Sequence, residues 1–320
     1  MAETGSGRST VLVFGHEALV DLIPRQETTY EAVLGGSPFN TAIGLGRLGV
    51  ATGMTGCLST DSMGDALAAQ LASAGVAARF VTRSPRPSPL AFVTRGTAAT
   101  GARYAFYLGA TAYDTPATLP EDWTAAADHL HLGSFSATDG ALGAAALAAL
   151  EAAGDRATTS YDPNIRPFVV PPRAETLPMV EARVRLSTYV KASEEDFDWL
   201  YPGTPPSEAA ARWAGLGPKL VVMTRGGAGA EAHFRGERMV QPAPAIDVVD
   251  TVGAGDSFMA ALLAAMARDG ALGGSGRAPS EAEVGRWLLF AIAASAITCT
   301  RQGAQPPTRA EVDKVLGTAG

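Results

Sequence analysis

The sequence predicts an α/β fold with a largely parallel sheet and a small β lid, and three observations lead there. Beyond Thr115, short apolar runs alternate with stretches of helical spacing, the pattern of strands joined by crossover helices. The run Thr10–Gly15 is apolar without a break, as strands covered on both faces are. Two hairpin-like pieces near 16–35 and 90–112 interrupt the alternation and would sit on the main sheet as a lid. Residues 1–320 are expected to form one domain with these pieces inserted in it.

Each element has its own local reason. After the first strand, Ala18–Ile23 reads as extended and ends at Pro24. Gly35-Gly36-Ser37-Pro38 is turn chemistry, and Phe39–Leu48 has helical spacing with Gly49 as its stop. Met54–Leu58 reads as a strand and Asp65–Ala74 as a helix closed by Gly75. Ala91–Arg95 and Arg103–Leu108 form a hairpin with Gly96–Gly101 at its tip. Strands are then expected at His129–Leu132, Thr158–Tyr161, Tyr189–Lys191 and Leu220–Thr224. Helices are expected at Asp139–Ala153, Val180–Leu186, Ser207–Ala214, Gly255–Arg268, Glu281–Thr300 and Thr308–Leu316.

Composition narrows the function. With 25 basic and 32 acidic residues the net charge is −7, so phosphate backbones would be repelled and nucleic acid is not an expected partner. Hydrophobic residues at 47% and charged ones at 18% allow a large core and exclude whole-chain disorder. Cys57 and Cys299 form no CxxC pair, which removes cysteine zinc sites and suits a reduced, cytoplasmic protein. No signal peptide is expected from the polar start, and the apolar stretch Trp287–Thr300 is too short for a membrane span, so it reads as a buried helix.

Missing motifs narrow it further. None of Lys191, Lys219 and Lys314 follows a glycine, so there is no GxxxxGK[ST] loop. GxSxG, HExxH, the protein-kinase signatures and a strand leading into GxGxxG are absent as well. His129 and His131 alternate along a strand, which packing explains without a metal.

The richest segment is Asp250-Thr-Val-Gly253-Ala254-Gly255-Asp256-Ser-Phe258. A small-residue turn opens an apolar helix there, and the first N–H groups of a helix lack partners within it. Together with the helix dipole they make an anion site, which bare Gly253, Ala254 and Gly255 let a phosphate approach closely. Asp256 is then either an N-terminal cap or a general base that takes the proton of an attacking hydroxyl.

These residues resemble the PfkB (ribokinase-like) carbohydrate kinases. Asp250–Phe258 is similar to the family's DTxGAGD signature, and Gly35-Gly36 through Asn40 to Gly49 to its GGxxxNxAxxLxxLG. The resemblance spans nearly the whole chain. It implies a ribokinase-like three-layer sandwich with a mostly parallel central sheet and a small β-sheet lid, ATP as donor and Mg2+. It implies Asp256 as base and Gly253, Ala254 and Gly255 as anion hole. Thr224-Arg-Gly226-Gly227-Ala-Gly229 resembles a nucleotide-binding stretch, though an ordinary strand-to-strand turn also explains it. Lys191-Ala-Ser-Glu194 stands where relatives carry NxxE, so Glu194 would order the magnesium's water shell, with Glu195 as a rival. Ala291 and Ser295 fall in the adenine-contacting stretch, with Ile292 where an Asn is common. Asp250, Val252, Arg301 and Gly303 match a loop pair that holds K+ in some members.

The acceptor follows from weaker likenesses. Gly15-His-Glu17-Ala-Leu-Val-Asp21 through Pro24 is similar to the opening of fructokinases, where Asp21, with Gly36 and Asn40, would meet the sugar; the alternative for Asp21 is a surface turn. Tyr161-Asp162-Pro-Asn164-Ile-Arg166 resembles DPNxR, whose Asn164 and Arg166 would lie near the reacting phosphate, unless Arg166 is a structural partner of Asp162. Gly101-Ala-Arg103-Tyr-Ala-Phe106-Tyr107 is similar to the lid strand of fructokinases, which carries Arg and aromatic residues toward the sugar; the alternative is a plain half-exposed strand. The expectation is an ATP-dependent kinase of fructose, with 2-keto-3-deoxygluconate kinase and ribokinase or nucleoside kinase as alternatives. A non-catalytic sensor of the same fold is the alternative of another class. A lid edge could pair two copies as a homodimer.

Overall fold

The computed structural model describes residues 9–26, 28–94, 103–116, 119 and 122–317. The first part runs β1 (Ser9–Phe14), β2 (Leu19–Gln26), β3 (Thr29–Gly35), α1 (Ser37–Arg47), β4 (Thr52–Ser59), α2 (Ser62–Ser73), β5 (Ala77–Ser84), β6 (Leu90–Thr94) and β7 (Arg103–Tyr107). The middle runs α3 (Trp123–Ala126), β8 (Ala127–Gly133), α4 (Gly140–Ala153), β9 (Thr158–Asp162), α5 (Arg173–Leu186), β10 (Tyr189–Ser193), α6 (Glu194–Leu200) and α7 (Pro206–Ala214). The last part is β11 (Leu220–Thr224), β12 (Ala230–Phe234), β13 (Glu237–Gln241), α8 (Ala254–Arg268), α9 (Glu281–Cys299) and α10 (Arg309–Val315).

Nine strands form one sheet in the order β13-β12-β11-β10-β9-β8-β1-β4-β5. From β11 to β5 every pairing is parallel, and β12 and β13 close one edge antiparallel. Successive side chains of a strand face opposite ways, so β1 sends Val11 and Val13 into one core and Leu12 and Phe14 into another. The first core is filled from α1, α8 and α9, the second from α4, α5, α6 and α7, which makes three layers. Fully buried Trp213, Phe197 and Val184 hold the second, and Trp287, Leu263 and Phe39 the first. Contrary to the sequence reading, the α9 helix is long and apolar enough to cross a membrane by length and composition, because it begins at Glu281, ahead of the stretch judged too short; half of it is buried within this fold, in keeping with a buried helix.

The second sheet, β3-β2-β6-β7, is the lid. The expected hairpin tip Gly96–Gly101 lies outside the described residues. Against expectation β2 does not end at Pro24: its pairing with β6 stops at Leu22, so the missing N–H takes nothing from that ladder. Four strands and two helices were not expected, one of the helices being the single turn α3. β3 and β5 are largely exposed, β13 is a short strand at the sheet edge, and β12 beside it is buried but interrupted by Glu231 and His233, so apolar periodicity marks them weakly. α6 is carried by a capping box on Ser193 and Asp196 instead of an apolar stripe. α5 starts at Arg173, earlier than expected, and contains Pro178.

Candidate active site

The site forms where α8 begins. Gly253 takes the position before the helix with φ 74°, a left-handed conformation that glycine tolerates. A methyl there would meet the Ala304 Cβ at 2.5 Å, so two reasons require a glycine. The Asp250 carboxylate braces the turn, with Oδ1 accepting from the Val252 N–H at 3.0 Å and Oδ2 from the Gly303 N–H at 2.9 Å. Among the described residues the N–H groups of Gly253, Gly255 and Asp256 have no partner, whereas that of Ala254 donates to the Thr251 carbonyl at 3.2 Å. The anion-receiving amides are thus offset from the expected trio: Ala254 supplies a small side chain more than a donor.

Asp256 does not cap the helix. Its Oδ1 accepts from the Ser37 hydroxyl at 2.6 Å and its Oδ2 from the Asn40 amide at 2.9 Å, both on α1. The carboxylate is therefore fixed from across the fold, and it lines a cleft of about 280 Å3. Asp21, Gly36, Asn40, Asn164, Arg166, Gly253 and Gly255, all singled out in the sequence for this site, line the same cleft, and so does Val252, which the sequence had assigned to a cation site. Asp21 is not on a surface turn but within β2 of the lid. Asn164 adopts φ 41°, a strained value for a side chain-bearing residue.

Charge in the cleft is unbalanced. Glu17, Asp21 and Asp256 face a single described cation, Arg166. Burial raises the Asp21 carboxyl to about 6, with the Asp256 charge adding to the rise and Arg166 opposing it. Burial likewise raises Glu17 to about 7, although it accepts from the Ser136 N–H at 2.6 Å. Arg166 is not the partner of Asp162, because that carboxylate binds Lys191. Its Nη1 donates instead to the neighbouring Ile165 carbonyl at 3.1 Å.

Sequence reasoning missed several wall residues. Ser37 was read only as turn chemistry, yet its hydroxyl holds Asp256. Glu17 sat in a quoted motif with no role. The aromatic residues of the quoted lid strand were not missed: Tyr104 and Phe106 of β7 line the cleft, and Phe106 meets Phe135 edge-on at 5.5 Å, bringing lid and body together. Arg103 precedes them on β7, paired with Thr94; its side chain lies outside the described residues.

The residues expected to hold nucleotide are more dispersed. Thr224, Gly226, Gly227 and Gly229 form the turn between antiparallel β11 and β12, with Gly226 and Gly229 at φ 49° and 95°. Ser295 on α9 donates to the Ala254 carbonyl at 3.0 Å and so ties that helix to the start of α8. Ala291 is a correction: it has no exposed surface and packs in the core, so its side chain faces no ligand. Lys191 is not on the cleft wall either; it is buried behind Gly255. Glu194 opens α6, partly exposed and 4.0 Å from Arg225. The Arg301 side chain is committed to Glu311 at 2.5 Å.

A buried carboxylate beside free helix-start amides, under a small lid, defines a phosphotransferase site for a small polar acceptor. A family model described as pfkB family carbohydrate kinase matches residues 9–311. The chain belongs to the PfkB family of carbohydrate kinases and is a phosphotransferase acting on a sugar hydroxyl. It is 37% identical to a fructokinase of Rhizobium leguminosarum bv. trifolii over 262 residues, 80% of this chain and 79% of that one. It is 33% identical to fructokinase-1 of Oryza sativa subsp. japonica, covering 98% of this chain and 100% of that one. Among solved structures, the ATP-bound fructokinase of Xylella fastidiosa superposes with a TM-score of 0.83 at 25% identity, over 96% of this chain and 98% of that one.

Proposed function

We propose that the protein transfers the γ-phosphoryl group of ATP to the 6-hydroxyl of fructose. The observation that carries this is the Asp256 carboxylate, fixed by Ser37 and Asn40 at the edge of the cleft, beside amides that have no other partner. Asp256 takes the hydroxyl proton as the sugar oxygen attacks, and the amides of Gly253, Gly255 and Asp256 receive charge on the transferred group. Arg166, on the same cleft, neutralises further charge. Asp21 and Asn40 accept and donate to sugar hydroxyls, and Tyr104 and Phe106 exclude water as the lid closes.

Three further observations favour a neutral sugar such as fructose. The described cleft wall carries three carboxylates against one guanidinium, which suits a neutral polyol better than the carboxylate of 2-keto-3-deoxygluconate. Relatives covering nearly all of the chain carry the name fructokinase. A volume of about 280 Å3 suits one monosaccharide better than a nucleoside.

Mg2+ fits the residues present. Among the described residues no three His, Cys, Asp or Glu side chains cluster as a metal cage. An ion arriving on nucleotide phosphates needs none, because magnesium keeps most of its waters, and Glu194 could order one of them. When bound, the ion neutralises charge on the donor phosphates. For K+, Asp250, Val252 and Gly303 converge through the Asp250 carboxylate, and Arg301 could contribute only its carbonyl. Exposed Tyr30 and Tyr107, each packed edge-on against Phe92, offer the lid surface for a homodimer.

The test is ADP release with fructose, ribose, nucleosides and 2-keto-3-deoxygluconate in turn. The highest kcat/KM should fall on fructose. A higher value on another acceptor removes the fructose assignment, and sugar binding with no ADP release from any acceptor leaves only the sensor.

A further inference from the structure

The buried pair Lys191–Asp162 has no role in the reaction as described so far. Asp162 ends β9 and Lys191 lies on the neighbouring parallel strand β10, so both reach the carboxyl end of the sheet, where ligands of such folds bind. Their side chains are 4% and 3% exposed and bond at 2.9 Å. A methyl placed on Gly255 would lie 3.2 Å from the Lys191 Nζ, so the ammonium sits close to a residue that lines the cleft while Lys191 itself does not line it.

We propose that Lys191 is a positioning residue for the transferred phosphoryl group, its ammonium held by Asp162 against the back of Gly255 so that it adds positive potential to the anion-receiving amides. This rests on the phosphotransfer reading of the site. The sugar oxygen–phosphorus bond forms as the bond from that phosphorus to the ADP oxygen breaks, and the hydroxyl proton goes to Asp256. Lys191 neither gives nor takes a proton; it acts through space in a site shielded from water.

Three observations favour this over simple packing. A buried ion pair is costly to desolvate and is often replaced by apolar residues without loss of stability. This pair carries an additional cost, because the second Asp162 oxygen is buried with no partner. The ammonium also stays charged: burial alone would lower its pKa, but Asp162, Asp196 and Asp256 raise it, while burial and the Lys191 charge keep nearby His131 neutral. Gly255 is then small on both counts, leaving room for phosphate on one side and for the ammonium on the other.

The test compares wild type, Lys191→Met and the double variant Lys191→Met/Asp162→Asn. Lys191→Met alone leaves Asp162 unpaired, so its thermal midpoint should fall. The double variant removes both charges and should recover that midpoint. Under the proposal kcat on fructose falls at least about tenfold in both variants, the scale of a nearby charge at an effective dielectric of ~20. Calorimetric affinity for inorganic tripolyphosphate, measured without sugar, should fall in both as well. A double variant that regains wild-type kcat and tripolyphosphate affinity together with its stability overturns the proposal, as does a folded Lys191→Met with both unchanged. Should the wild type phosphorylate no sugar, the preceding functional proposal fails on its own and the tripolyphosphate titration still decides this one.

Discussion

Glu17→Gln offers a sharp test of the cleft's electrostatics. Glu17 is 2% exposed, and burial lifts its carboxyl from 4.5 to about 7. Because the folded value lies above the unfolded one, the proton favours the folded state. The resulting stability is fully present below pH 4.5 and is lost as pH rises through 7. Between pH 5 and 8 that amounts to on the order of 2 kcal/mol, at about 1.4 kcal/mol for each tenfold change in proton occupancy. Gln keeps the oxygen that accepts from the Ser136 N–H and never ionises. For 320 residues, unfolding entropy near 2.1 cal/mol/K per residue makes each kcal/mol worth about 1.5 °C. Glu17→Gln should therefore match wild type at pH 5 and melt about 3 °C higher at pH 8.

The comparison has to be a difference between the two proteins. His16 and His131 are lowered to about 4 and about 3 by burial, so their stability is present above 6.5 and lost as pH falls. Wild type alone thus shows opposing trends that cancel in the difference. Differential scanning fluorimetry at both pH values is sufficient. An equal shift at pH 5 and pH 8 would refute a buried, easily protonated Glu17.

Other perturbations have equally definite outcomes. Asp256→Asn removes the base while leaving one oxygen to accept from α1, so kcat should fall about a thousandfold, with sugar binding by calorimetry retained; unchanged turnover would remove Asp256 from the chemistry. Asp21→Asn should raise KM for the sugar about tenfold with a smaller change in kcat, and its stability at pH 8 should rise because Asp21 also carries a raised carboxyl. Gly253→Ala strains a backbone at φ 74° and drives a methyl into Ala304; steady-state assay and melting should show lower kcat and a midpoint lower by about 2 to 5 °C.

Much of this molecule could be read along the chain because the relevant physics is local. Apolar runs mark strands covered on both faces, so β1 and β11 were visible, while β8 and β9 followed from the regular alternation of strands and helices. Small residues ahead of an apolar helix mark an anion site, so the turn before α8 was visible too. The largely exposed β3 and β5, the edge strand β13 and its neighbour β12 were not, since none of them carries an unbroken apolar run.

The site divides along the same line. Local residue order determined that Gly253, Gly255 and Asp256 open a helix as a candidate anion and proton site. Only tertiary structure decided that Ser37 and Asn40, on another helix, hold the Asp256 carboxylate, that Asp162 belongs to Lys191 rather than to Arg166, and that Ala291 packs in the core. Backbone amides at a helix start follow from a few consecutive residues. Which charge meets which, and how deeply it is buried, depends on the stacking of strands far apart in the chain, and one-dimensional spacing does not carry that information.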